Sequence, residues 1–176
     1  MELENKLLFL VKECKQELAS IELDSKIPKE ISFNINFKAK NFLGVCRNKK
    51  KIEITSWLLT YGTDKQIKNT IMHEIIHTFK DTVGHQKSWK RYAQTINTKL
   101  GYSISVRSSI REIYNEANAQ DDYFKRYRYK IVCKKCGKTM YYMRLKKYYF
   151  YNQMRHTSCG GNDFEIYDLK TNTKLK

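Results

Sequence analysis

Seven of the nine histidines and cysteines in this 176-residue chain fall into two groups with the spacing of metal ligands. The first group opens on HEIIH at 73–77. Positions i and i+4 of a helix lie about 5–6 Å apart on one face, so His73 and His77 can hold one Zn²⁺ between two imidazoles. Glu74, one residue round the helix, can reach a water at that metal without binding the metal. A catalytic zinc needs a third protein ligand and an open position. His85 is the favoured third ligand, because TFKDTVG is short enough to fold back and Gly84 lets the chain reverse. Glu116, with Glu112 nearby, is the competitor, since a carboxylate on a later helix completes some sites of this type. The bland alternative, three hydrogen-bonded or surface histidines, has to hold for all three at once.

The second group is C-x₂-C at Cys133 and Cys136, then nineteen residues, then H-x₂-C at His156 and Cys159. Three thiolates and one imidazole make a closed tetrahedral site of the structural kind. Gly137 and Gly160–Gly161 stand where the two knuckles need tight turns. A closed site leaves no position for chemistry; its zinc holds together a module with too little core to fold alone. The alternative is buried thiols with an incidental histidine. Two zinc ions per chain are therefore expected, one catalytic and one structural. Cys14 and Cys46 remain, and both read as core thiols, one on a helix face and one in a strand.

Lys and Arg number 34 against 18 Asp and Glu, a net charge of +16. A surplus that large predicts attraction to a polyanion and says nothing of fold. Between Tyr123 and Asn162 stand eleven Lys/Arg, no Asp or Glu, and ten Tyr or Phe. Arg126, Arg128, Lys130, Arg144, Lys146 and Lys147 are the candidates for neutralising phosphates, and Tyr148 and Tyr149 for stacking on bases. Stacking needs unpaired bases, which favours single-stranded or distorted DNA. The alternative for the rings is packing, and about half of them are expected to be core. The longest early apolar run, LLFLV at 7–11, is too short and too charged for a membrane span or a signal peptide. The expectation is a cytoplasmic, DNA-associated monomer with no membrane partner, in a compartment where cysteines bind metal rather than pair.

These groups need elements to position them. Leu3, Leu7, Val11, Cys14, Leu18 and Ile21 recur at helical spacing, which predicts a helix over 2–23. ISFNINF at 31–37 alternates as a half-buried strand, and two more short strands follow near Phe42–Arg47 and Lys51–Thr55. Thr63 with Gln66 forms a capping box, opening a helix with Ile67, Ile71, Ile75 and Phe79 on one side. A helix from about His85 to Leu100 ends at Gly101. YKIV, TMYYMRL and NDFEIYDL supply the strands of a zinc-ribbon hairpin. With a boundary near residue 120, the expected organisation is two domains, 1–120 and 121–176. The fold class is α+β: helices on a small antiparallel sheet, then a zinc-ribbon β module.

HEIIH, the short segment after it, the GH of 84–85 and Trp89 four residues on resemble the SprT-like metalloprotease family, which includes the Spartan-type DNA-dependent proteases. FLGVCRNKKKIEIT at 42–55 resembles that family's run into the catalytic helix, and Ala93, Ile96 and Asn97 fit its following helix. The resemblance implies an HExxH zincin-like domain with His73, His77 and His85 as zinc ligands and Glu74 as catalytic acid/base. Members commonly carry a C-terminal zinc-binding portion. By analogy the activity is zinc metalloendopeptidase cleavage of proteins bound or crosslinked to DNA, as in DNA–protein crosslink repair, with the ribbon supplying the targeting. The rivals are a non-proteolytic DNA-binding zinc protein of the same fold, and a peptidase with no DNA requirement.

Overall fold

The periodic apolar residues at the N-terminus form helix α1 (Glu2–Ser20) in a computed structural model that describes residues 1–39 and 41–176. Leu7, Leu10, Val11, Cys14 and Leu18 are its buried stripe. The helix ends before the expected residue 23 because Glu22 turns left-handed, at φ 62°. The N–H groups of Glu22 and Leu23 then return to the carbonyls of Ala19 and Leu18, at 3.1 and 2.9 Å. That pair of bonds is a Schellman stop made without glycine.

Three strands follow: β1 (Ser32–Asn36), β2 (Gly44–Arg47) and β3 (Lys51–Thr55), in the order β1-β3-β2. The sheet is mixed, not antiparallel as the sequence suggested. β2 and β3 form an antiparallel hairpin, but β1 lies parallel to β3, with Phe33 opposite Ile52 and Ile35 opposite Ile54. The order, with β3 in the middle, follows from its burial. Ile52 and Ile54 are fully buried on one face, and Glu53 and Thr55 are covered on the other. A strand buried on both faces takes the centre of a sheet. That leaves β2 at an edge with no strand on its outer side among the described residues.

α2 (Ser56–Tyr61) follows β3 directly and buries Leu58 and Leu59. α3 (Asp64–Thr78) starts at the expected capping box: the Gln66 N–H donates to the Thr63 hydroxyl, and the Thr63 N–H donates to the Gln66 side chain at 2.8 Å. Ile67, Ile71, Ile75 and the following Phe79 are all fully buried. α4 (Lys87–Leu100) buries Trp89, Tyr92, Ala93 and Ile96 and stops at Gly101, left-handed at φ 72°. α5 (Ile110–Glu116) carries a Ser109 cap. These elements share one hydrophobic core and make up a compact unit, Met1–Ala119.

A second compact unit spans Gln120–Lys176. It contains α6 (Gln120–Lys125) and the strands β4 (Tyr129–Cys133), β5 (Thr139–Tyr142), β6 (Phe164–Asp168) and β7 (Thr173–Lys174). They form an antiparallel sheet in the order β5-β4-β6-β7, with Ile131 opposite both Met140 and Ile166. Its fully buried apolar side chains are few: Ile131, Cys133, Tyr149, Phe164 and Ile166. No described helix in either unit is long and apolar enough to cross a membrane.

Candidate metal centres

α3 sets His73 and His77 one turn apart on one face, and the loop after it brings His85 back over them. The three Nε2 atoms form a triangle with sides of 3.3 Å (His77–His73), 3.1 Å (His77–His85) and 3.0 Å (His85–His73). Tetrahedral zinc with nitrogens at about 2.0–2.1 Å separates its ligands by roughly 3.3–3.4 Å, so the triangle fits one ion. Burial pushes His73 and His77 down to about 4, and the neighbouring cationic forms push the same way. Both are neutral at pH 7, the form that ligates metal.

His73 is oriented from behind. Its Nδ1 lies 3.0 Å from the Ser105 carbonyl. A carbonyl only accepts, so Nδ1 carries the proton and Nε2 keeps its lone pair for a metal. Ser105 is held in turn by Asn97, whose amide donates to the Ile104 carbonyl at 2.9 Å and accepts from the Ile104 N–H at 2.8 Å. Trp89, 1% exposed, packs against all three imidazoles with ring centroids 4.7, 5.6 and 4.6 Å away. The carboxylate competitors lie elsewhere. Glu116 accepts from the Gln66 side chain at 2.6 Å, near the start of α3 and roughly 10 Å along the helix from His73. Glu112 is exposed on α5.

Glu74 is 6% exposed, and burial pushes its carboxyl up to about 7, against a smaller pull from the Cys46 N–H. It borders two adjoining cavities that share Gly44, His73 and Glu74 and run beside β2. Gly44 is what lets the strand approach. A Cβ there would sit 2.9 Å from Thr70 Cγ2 and 3.0 Å from Glu74 Cγ. Cys14 is a core thiol, pushed up to about 12 by burial. Cys46 is only half-buried and lines the second cavity, its thiol pushed up to about 11 by burial and by Glu74. The sequence placed it in a strand correctly but could not say which face met the cleft.

The second centre brings Cys133, Cys136, His156 and Cys159 together with all four ligand atoms within 4.8 Å of one another. Cys133 and Cys159 sulfurs are 3.5 Å apart, and His156 Nδ1 is 3.3 Å from the Cys136 sulfur and 3.1 Å from that of Cys159. Zinc–sulfur bonds of about 2.3 Å and zinc–nitrogen bonds of about 2.0 Å set edges of roughly 3.5–3.8 Å, so this group could hold one zinc ion. Gly161 closes it. A Cβ there would fall 3.1 and 3.3 Å from the Cys133 and Cys159 sulfurs.

Around that centre the basic and aromatic residues divide. Arg144, Lys146 and Lys147 are exposed, with no carboxylate partner among the described residues. Arg128 is tied to the sheet, its Nε donating at 3.0 Å to Asp168, which is 4% exposed. The Arg126 guanidinium and the Lys130 ammonium each lie 5.7 Å from a ring centroid, of Tyr123 and Tyr167 respectively. Tyr149 corrects the sequence reading. It is 2% exposed and packs among Tyr142, Tyr148 and Phe164. A ring so enclosed has no face left for a base. Tyr148 is half-buried beneath Lys146, whereas Tyr151 is 69% exposed.

An α+β chain with two donor sets shaped for zinc is a zinc-associated protein. The model of the SprT-like family matches residues 11–108, more than half of the chain and all of the histidine triad with its supports. The chain belongs to the SprT-like family. No curated protein matches it.

Proposed function

We propose that the chain is a zinc-dependent endopeptidase, directed by DNA to proteins bound or crosslinked to it. The hydrolase reading is carried by the imidazole triangle with Glu74 buried beside it. Three imidazole nitrogens are one donor fewer than a closed structural zinc site uses, which fits a catalytic site. A buried carboxylate that does not complete the ligand set has no use in a purely structural site. His73, His77 and His85 would hold the zinc, which when bound would supply a Lewis acid for the scissile carbonyl and a water acidic near neutral pH. Glu74 takes the proton as water attacks and passes it to the leaving amine. Burial, against the smaller pull of the Cys46 N–H, raises Glu74 to about 7, so its carboxyl can both take and return a proton near neutral pH. The free edge of β2 runs along the cleft and offers backbone donors and acceptors to an extended polypeptide.

Metal analysis tests the site first. Two zinc ions per chain are expected, and His77→Ala should retain one with the second unit still folded. A wild-type chain carrying a single zinc, in the Cys133 group, would remove the hydrolase reading.

The DNA part of the proposal rests on charge. Residues 82–111, which include His85, hold six Lys/Arg and no Asp or Glu, and 123–162 hold eleven and none. On labelled single strands, log K should fall against log salt with a slope of about −0.7 per phosphate contact. Neutralising Arg144, Lys146 and Lys147 together should flatten that slope. Tyr151→Leu should weaken binding at every salt by about 1–3 kcal/mol per stacked base, with the slope unchanged. Tyr149→Leu should instead lower the melting temperature. Unchanged anisotropy titrations for the basic triple and for Tyr151→Leu would take the ribbon out of DNA binding.

A further inference from the structure

Lys49 occupies a backbone position that does not suit a side chain. The β2–β3 hairpin turns through Asn48 (φ 50°) and Lys49 (φ 56°), closed by the Lys50 N–H donating to the Arg47 carbonyl at 3.1 Å. Two consecutive left-handed residues make a type I′ turn, whose second position favours glycine. A lysine there is strained. What its side chain gains is specific. The ammonium donates to the carbonyls of Phe79 at 2.9 Å, Lys80 at 3.0 Å and Thr82 at 2.8 Å. All three of its donors are used.

Those carbonyls lie just past the end of α3, which carries His73 and His77, and just before His85. The negative end of a helix and its orphan carbonyls call for a cation. The Thr82 hydroxyl, 1% exposed, serves the same knot, lying 3.0 Å from the Ile76 carbonyl and 2.9 Å from that of Phe79. Beyond it only Val83 and the left-handed Gly84 separate the knot from His85. We propose that Lys49 is the positioning residue for the third ligand: it staples the β2–β3 hairpin to the 79–82 turn and sets where His85 meets His73 and His77. The inference rests on the zinc reading of the triad.

Lys49→Gly in the full chain is the decisive variant, because it removes the ammonium while relieving the turn. An idle side chain would make it neutral or stabilising. With the role assigned here, zinc affinity at the triad, read by chelator competition with the cysteine site as internal reference, falls about tenfold or more. In protein stripped of zinc at the triad alone, with the cysteine site still loaded, amide exchange across 80–86 rises while α1 and the second unit keep their protection. Lys49→Arg recovers only part, since a planar fork does not bring three donors to one point. A wild type with two zinc ions matched in affinity by Lys49→Gly overturns the role of Lys49 alone. So does loss of protection throughout the first unit, which would mark a general fold residue. A wild type with zinc only at the cysteines removes the reading of the triad and this inference with it.

Discussion

Glu74→Gln is expected to keep the fold and both zinc ions and to lose peptide cleavage by about 10²–10⁴-fold, the range for removing a general acid/base. The amide has the shape of the carboxylate it replaces, so the 6% exposed side chain still fills its place beside Gly44 and Thr70. It sits outside the imidazole triangle, so zinc content should stay at two per chain. DNA affinity should also be untouched. The measurement is cleavage of a DNA-bound protein by wild type and variant, with and without DNA, beside metal analysis of both. An active variant removes the proposed chemistry. Equal wild-type rates with and without DNA would leave a peptidase whose charge does not direct it.

What could be read in the sequence was whatever repeats at short range. The i, i+4 histidines, the Thr63–Gln66 capping box and the stop at Gly101 are all local patterns, and each has the expected form. α2, α5 and α6 were missed because six or seven residues give less than two turns of periodicity. The parallel pairing of β1 with β3 is a long-range choice that alternation within each strand does not encode. Sequence left His85 and Glu116 in competition; the fold brings His85 to the triad and leaves Glu116 bonded to Gln66. The supports of the site were invisible for another reason. Ser105 acts through a carbonyl, and Lys49 acts on three carbonyls, and backbone groups leave no residue signature. Tyr149 and Tyr151 differ only in burial, in a stretch of tight turns where no strand period says which side is inward.

Cys159→Ser is expected to unfold the second unit while leaving the first intact. Five fully buried apolar side chains among the described residues are a small core for the second unit. Ordering each residue costs on the order of 1–2 kcal/mol of backbone entropy, so the hydrophobic term alone falls short. Structural zinc in finger peptides contributes an apparent 10–16 kcal/mol or so at neutral pH, enough to decide the outcome. Cys159 serves that centre twice, as a ligand candidate and as acceptor for the Gly161 N–H at 3.4 Å. Its loss leaves three donors and a loop closed on nothing. Zinc content should drop from two to one, the amide resonances of β4–β6 should collapse toward random-coil shifts, and those of α1 and α3 should stay dispersed. Single-strand binding should fall with the unit, since Arg144, Lys146, Lys147 and Tyr151 lose their frame. If β4–β6 instead keep their dispersion with zinc removed, the cysteine group is not what holds the ribbon, and Tyr149 with its aromatic neighbours carries more of that fold than area burial predicts.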